Sequence, residues 1–308
     1  MKNAIIKKVL VSTLCISLCL GLFQSNAMAA VTSGGQTQSG KLVDIRDGNQ
    51  TRKDIVISED DKLAALQGKL SSTDLVNKYG TKFISPVTSS ISGISNNATV
   101  LPLATSSATG SNSLKSTFYL LNDNNLYGGD QSLLSSYVGD DTGCGPIAGS
   151  NVLAYHAKYY GRTGLYPYTW MFNDWKHYQD DMFNIMGGIQ NLPRFNSMIN
   201  IYTSNHGYRY TTSSQSYVLY NDANLTSMCN FIKSQIDSNN PVALLIGTNT
   251  GSPYKPAYTN HWVTITSYNF NSGSTDVTVS SWGTRDILSL DTLLASRLWM
   301  DVTYAYAY

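Results

Sequence analysis

Two rhythms of apolar residues run through this chain, one at helical spacing and one at strand spacing. Ser58-Glu59-Asp60-Asp61 reads as a helix N-cap followed by acids in the first turn, where the positive end of the helix dipole favours negative charge. Leu63, Leu66 and Leu70 follow at helical spacing and predict a short amphipathic helix; a second helical stretch is expected over Ser72–Tyr79, ending at Gly80. Residues 147–160 predict a buried helix, because Ala148, Val152, Tyr155 and Tyr159 share a face and Gly161 can end it. Leu225, Met228, Cys229, Ile232 and Ile236 mark an amphipathic helix, and a further helical stretch is expected at 290–297.

Strand signals concentrate toward the C-terminus. Pro241 opens the continuous apolar run 242–246, which suits a buried strand. Residues 262–268 alternate, and 276–282 can pair with them across an Asn-Ser-Gly-Ser turn. A tyrosine-rich strand is expected at 302–308. The aromatic-rich region 165–220 reads as irregular, with short helices, and its rings are read as core and surface before a peptide or glycan groove, since aromatics dominate cores. A helical half followed by an antiparallel sheet predicts an α+β fold.

The first residues set the compartment. Lys2, Lys7 and Lys8 precede an apolar run, 9–23, and Ala27-Met28-Ala29 offers small residues before a cut ahead of Ala30. This predicts a signal peptide at 1–29 and a secreted, extracellular protein. The run is short of the roughly 20 apolar residues of a membrane span, so no membrane association is expected after cleavage. Residues 30–113 read as a pro-region and linker: a polar, aperiodic start, the short helices, then a Ser/Thr-rich stretch from 85 that cannot bury enough apolar surface to order itself. The remaining residues, 114–308, form the main domain. That order suggests a zymogen in which the pro-region inhibits, or else a simple spacer. A net charge of +1 with 13% charged residues gives no pull toward nucleic acid or anionic lipid.

Candidate chemistry centres on Thr142-Gly143-Cys144-Gly145-Pro146, which opens directly into the buried helix. Pro146 suits a first helical turn. Cys144 at a helix N-terminus meets unsatisfied N–H groups that stabilise a thiolate and can donate to an oxyanion, while Asp140 and Asp141 oppose the thiolate. Signal cleavage leaves Cys144 and Cys229, so one structural disulfide is the alternative. Of four histidines, His156 lies about 18 Å along the same helix and cannot reach. His177 and His206 fall in the aromatic region, whereas His261 heads the alternating strand after a loop and is the expected base. With no His-Glu-x-x-His and no zinc-ligand spacing, neither metal nor cofactor is expected.

Taken in order, Gly-Cys-Gly-Pro at a helix start, the strand Pro-Val-Ala-Leu-Leu-Ile, His-Trp-Val-Thr-Ile-Thr-Ser-Tyr and Ser-Ser-Trp-Gly resemble the papain clan. The likeness is closest to secreted relatives of the bacteriocin-leader (double-glycine) peptidases and covers about 114–290. It implies a papain-like α+β fold, Cys144 on the central helix and His261 on the sheet. It also implies a bacterial thiol peptidase working through an acyl-enzyme, a monomer whose partner is a peptide or protein substrate. Two positions depart from the pattern. Ser280 stands where such enzymes place Asn or Asp, so Ser280 becomes the third expected catalytic residue, with Asp276 or Asp286 as supplements. Val138 stands where a side-chain oxyanion donor, Gln, is usual, leaving Gln131 or Asn125 to serve. Deamidation or transamidation by the same dyad, and a non-catalytic binding protein with a Cys144–Cys229 bridge, are the alternatives.

Overall fold

The computed structural model describes residues 57–79, 108–115, 126–135 and 143–308, apart from residues 189, 219, 251 and 253. The expected signal peptide, the stretch 30–56 and most of the expected linker lie outside these residues, as do Gly80, Asn125, Val138, Asp140 and Asp141.

Helices α1 (Glu59–Leu66) and α2 (Ser72–Tyr79) come first, followed by strand β1 (Ser111–Ser113) and a 3-10 turn at Gln131–Leu133. Next come α3 (Cys144–Tyr159), α4 (Phe172–Met186), α5 (Leu192–Asn205), β2 (Tyr210–Val218), α6 (Asp222–Asp237), β3 (Val242–Ile246) and β4 (His261–Asn269). The chain closes with β5 (Asp276–Ser281), β6 (Thr284–Ser289), α7 (Leu290–Ser296) and β7 (Trp299–Ala307). The strands pair antiparallel in the order β2-β7-β3-β4-β5-β6, and β1 joins the far end of β4 with Ser111 opposite Asn269. The molecule is therefore a mixed α/β protein built on an antiparallel sheet.

Alternation on β3 explains the layering. Val242, Leu244 and Ile246 enter one core cluster with residues of α6 and α7, while Ala243 and Leu245 enter a second with residues of α3, α4 and α5. A strand buried on both faces reads as a continuous apolar run, as this one does. Helix α3 is buried at every residue from Cys144 to Ala157. Its closest helical neighbours approach at Gly149, where a Cβ would fall 2.9 Å from Met186 Sδ and 3.2 Å from Ile199 Cδ1. Such close packing leaves no room for a larger residue.

Two sequence expectations need correction. The region 165–220 is regular: α4 buries Trp175, Tyr178, Met182 and Met186 at helical spacing, and α5 is capped by Asn191, whose side chain accepts from the Arg194 N–H. The Ser/Thr-rich run after it forms β2, paired along its length with β7. Its weak apolar alternation hid it, because only Tyr210 and Tyr217 of that edge strand are buried. The expected linker is also shorter than residue 113, since β1 belongs to the sheet and Ala108 and Leu114 sit in the core.

Helix α1 differs from its leucine stripe as well. Its N-cap is Ser58, as expected, but its buried residues are Asp61, Lys62 and Ala65. Lys62 reaches into the main domain, where its Nζ lies 2.9 Å from Oδ1 of Asp301 on β7, both side chains being buried, and 2.9 Å from Glu59. Desolvation raises the Asp301 pKa, and the Lys62 charge opposes that rise. Ile57, Ala65, Leu75 and Tyr79 cluster with Leu298 and Trp299 around this pair. Lys62→Ala is expected to destabilise the protein by about 3–5 kcal/mol by stranding a buried carboxylate, whereas Lys62→Met combined with Asp301→Leu recovers most of the loss. Urea unfolding of the parent, single and double variants checks this.

Candidate functional site

Cys144 is the first residue of α3. Gly143 holds the N-cap position without a side-chain cap, so the opening N–H groups have no acceptor within the helix. A Cβ on Gly143 would fall 2.5 Å from Leu134 Cδ1 and 3.0 Å from Gln131 Cβ, so glycine is required for the 3-10 turn to seat against the helix start. That turn is fixed in its own right. Asp130 caps it by accepting from the Ser132 N–H at 2.9 Å, and the Asp130 N–H donates to Gln179 of α4 at 3.0 Å.

His261 opens β4 opposite Ile246, the last residue of β3. It lines the same cavity as Cys144, Gln131, Trp262 and Trp282, a space of about 10 Å³. That is about the room one water needs. Two neighbouring rings pack on the imidazole: Trp282 stacks on it at 4.1 Å and 17°, Tyr258 meets it edge-on at 5.7 Å and 78°, and the two ring centres lie 4.9 Å apart. Trp282 and Gly283 form a two-residue turn between Ser281 and Thr284, with φ of 46° and 67°. Both values belong to a type I′ turn, which favours Asn-Gly; tryptophan in the left-handed region is strained there. The ring it places over His261 is what the strain delivers.

The imidazole Nε2 pairs with Ser281 Oγ at 2.8 Å. The structure thus gives His261 a serine partner, but Ser281 in place of the expected Ser280. Successive strand side chains project in opposite directions. The Ser280 hydroxyl accordingly donates to the Tyr127 carbonyl at 2.6 Å and accepts from Asn151 Nδ2 at 3.2 Å. Asn151 was not singled out by the sequence, yet it ties this region together. Buried two turns along α3 from Cys144, it also accepts from the Gly129 N–H at 2.9 Å and donates to Thr264 Oγ1 at 3.2 Å. A carboxamide two turns after Cys144 in a mostly apolar helical stretch was its available signal. Ser281, Trp282 and Tyr258 were likewise passed over, although the Trp-Gly pair closing a hairpin marked the turn.

The other candidates separate cleanly. His156 is buried in α3 with Nδ1 3.0 Å from the Tyr210 hydroxyl, and His177 is exposed on α4. His206 caps α5, with Nδ1 2.8 Å from the Tyr202 carbonyl oxygen and its ring stacked on Tyr202. Cys144 and Cys229 are buried thiols in different core clusters, so the two are not halves of a disulfide. Asp276 lies at the end of β5 remote from Ser281, opposite Ser289. Asp286 lies beside Tyr258, whose hydroxyl donates to it at 3.0 Å. Among the described residues no group of three or more His, Cys, Asp or Glu side chains could hold a metal ion.

Compared with models of known protein families and with curated proteins, the chain matches none. Fold and site together define a mixed α/β protein with an antiparallel sheet, carrying a buried thiol, an imidazole and a carboxamide around one small cavity.

Burial lowers the His261 pKa to about 3, and burial together with the Arg162 charge lowers that of His156 to about 4. Both imidazoles are neutral in the folded protein at neutral pH. Below pH 6.5 the unfolded chain takes up protons that these folded histidines refuse, so stability falls as pH falls from 6.5 toward 4. Each contributes a slope of up to about 1.4 kcal/mol per pH unit. His156→Gln is expected to remove one of the two contributions, which urea unfolding between pH 4.5 and 7 measures as a shallower dependence.

Proposed function

We propose that this chain is a secreted bacterial cysteine peptidase of papain-like fold, with Cys144 as nucleophile and His261 as base. The observation that carries the reading is the meeting of Cys144, His261 and Gln131 at one cavity, although they come from a helix start, a strand start and a separate turn. A neutral imidazole is the form able to take a proton. In the proposed reaction His261 accepts the Cys144 thiol proton and the sulfur attacks the substrate carbonyl carbon. The oxyanion is held by the Cys144 N–H and the Gln131 carboxamide. His261 then returns the proton to the leaving amine, and water hydrolyses the thioester to free the enzyme.

Gln131 replaces the donor that sequence spacing would have put at Val138. Its seat against Gly143 supports this role: the turn brings Gln131 to the helix start, where it lines the same cavity as Cys144.

The segment 57–79 supports a zymogen arrangement. Asn260, the neighbour of His261, donates from Nδ2 to the Ala65 carbonyl at 3.4 Å, and Asn191 donates to the Glu59 carbonyl at 3.3 Å. Leu66 packs on the core cluster that includes Cys144 and Trp262. Residues of this segment do not line the cavity itself, so it restricts approach from the side of Asn260 rather than filling the catalytic space.

Alkylation of Cys144 at neutral pH, mapped by peptide mass, is expected to be fast while Cys229 stays inert. Cys144→Ala and His261→Ala are expected to lower peptide cleavage by at least about 10⁴-fold and leave folding intact. Full turnover in either variant, or equally sluggish thiols, rejects the assignment. A specific protease site inserted between residues 85 and 100 tests the pro-segment: cutting there is expected to raise the Cys144 alkylation rate, and an unchanged rate rejects inhibition.

A further inference from the structure

The end of β7 carries tyrosine at every second position, Tyr304, Tyr306 and Tyr308. Side chains two apart on a strand share a face. This face is the one that meets α6, because Tyr304 touches Phe231 of that helix edge-on at 5.7 Å. Exposure rises along the row: Tyr304 is half-buried, Tyr306 is 38% exposed and Tyr308 76%. The face is thus covered at its start and open at its end. Tyr304 and Tyr306 lie nearly parallel, their centres 5.4 Å apart at 26°, so each limits the other's movement. Across the sheet Ser213 and Thr211 of β2 stand opposite them.

The row leads into a groove of about 710 Å³ between β2 and α6. That size is in the range of small-molecule sites. Phe231 supplies its aromatic surface, and Gln215, Asp222, Ser227 and Asn230 supply polar groups. Among the described residues that line it there is no lysine, arginine or histidine. Gln215 is held in place: its Oε1 accepts from Ser227 at 3.2 Å and from the Tyr217 hydroxyl, leaving the amide hydrogens as its available donors. Asp222 accepts from the Tyr220 hydroxyl at 3.2 Å and keeps further lone pairs for a ligand.

The chemistry of this surface selects among ligands. A sugar ring has C–H bonds on its faces and hydroxyls around its rim. Tyrosine rings, rigid and amphipathic, suit the faces. Carboxamides and hydroxyls, which both donate and accept, suit the rim. Nucleic acid and other polyanions require a track of cations, which the groove lacks. At the far end of the row Arg209 accepts from the Tyr308 N–H through its carbonyl at 3.3 Å, and one cation there makes no such track. A peptide held by side-chain anchors requires a deep apolar pocket, and Phe231 and Ala223 are the apolar residues lining this open groove.

We propose that the groove and the tyrosine row together bind a neutral polysaccharide, laid along β7 with part of its length in the groove. The row covers about 14 Å of strand, which suits several linked sugars rather than one. This site is separate from the cavity at Cys144. His261 stands opposite Ile246, and Ile246 opposite Met300 at the start of β7, whereas the tyrosines follow further along that strand. A chain bound there holds the protein at a glycan surface without entering the cavity, so the inference does not rest on the peptidase reading.

Calorimetric titration of the full chain tests the proposal, with cellohexaose, chitohexaose and maltohexaose as neutral probes of different linkage and substitution. At least one is expected to bind with Kd below about 1 mM. Raising the salt to about 0.5 M is expected to leave that affinity unchanged, because the ligand is uncharged. Tyr306→Ala combined with Tyr308→Ala is expected to weaken binding at least about 10-fold, as loss of aromatic anchors does. Asn230→Ala, exposed on α6, is expected to weaken it as well, and Tyr160→Ala, an exposed tyrosine outside the row, to leave it unchanged. If the tyrosine variant does not fold, Asn230→Ala carries the test. No binding of any of the three at millimolar concentration, or equal binding by the parent and both groove variants, overturns the proposal. With no saccharide bound, two further results also overturn it and reassign the surface. Binding of reduced, carboxymethylated lactalbumin in the Cys144→Ala background, lost in the tyrosine variant, marks a peptide groove. A dimer seen by sedimentation, broken by the same variant, marks a contact between copies of this chain.

Discussion

A helix buried along nearly its whole length has to end somewhere, and its first N–H groups have to meet something. Helix α3 lies against the central strands with every residue from Cys144 to Ala157 out of water. Its N-terminus is fixed by that packing, with no side-chain cap. The glycine at 143, the turn that presses Gln131 against it and the strand start at His261 are all arranged around this one end. Moving α3 by a fraction of a turn would put Gly149 out of register with Met186 and Ile199 and take Asn151 away from Gly129, Thr264 and Ser280. The geometry of the candidate site is in this sense a by-product of core packing, held more tightly than surface loops can hold anything.

Electrostatics at the same place follow from that burial. The histidine is desolvated, and its charged form is disfavoured in the closed structure. The imidazole meets a hydroxyl, that of Ser281, where the sequence resemblance led one to expect an Asn or Asp. Trp282 and Tyr258 pack together against the buried ring, and the low-dielectric surroundings strengthen the polar contact it keeps.

The N-terminal helices show the same economy of means on a larger scale. A lysine and an aspartate from distant parts of the chain, each unfavourable to bury alone, are buried together where α1 meets β7. Such a pair specifies where the segment docks more than it stabilises the docking. The docked helix reaches the residue next to His261, where the Asn260 side chain donates to the Ala65 carbonyl.

Regular, apolar elements were legible in the sequence, for a local reason: a helix or strand buried on a defined face writes its period into the chain. The buried helix, the strand at 242–246, the strand headed by His261 and its hairpin partner all emerged this way, and so did the pairing of a cysteine at a helix start with that histidine as the candidate chemistry. Elements with mixed or polar faces were not legible. The edge strand β2 has few buried side chains, and α1 buries a lysine and an aspartate where its leucines promised the contact face. Gln131 and Asp286 were named only among alternatives, and Ser281 was missed in favour of its neighbour, because the choice depends on which hydroxyl, amide or carboxylate lies within 3 Å of which atom. Hydrogen bonds are that short and that directional, and only the folded chain brings the partners close enough to choose.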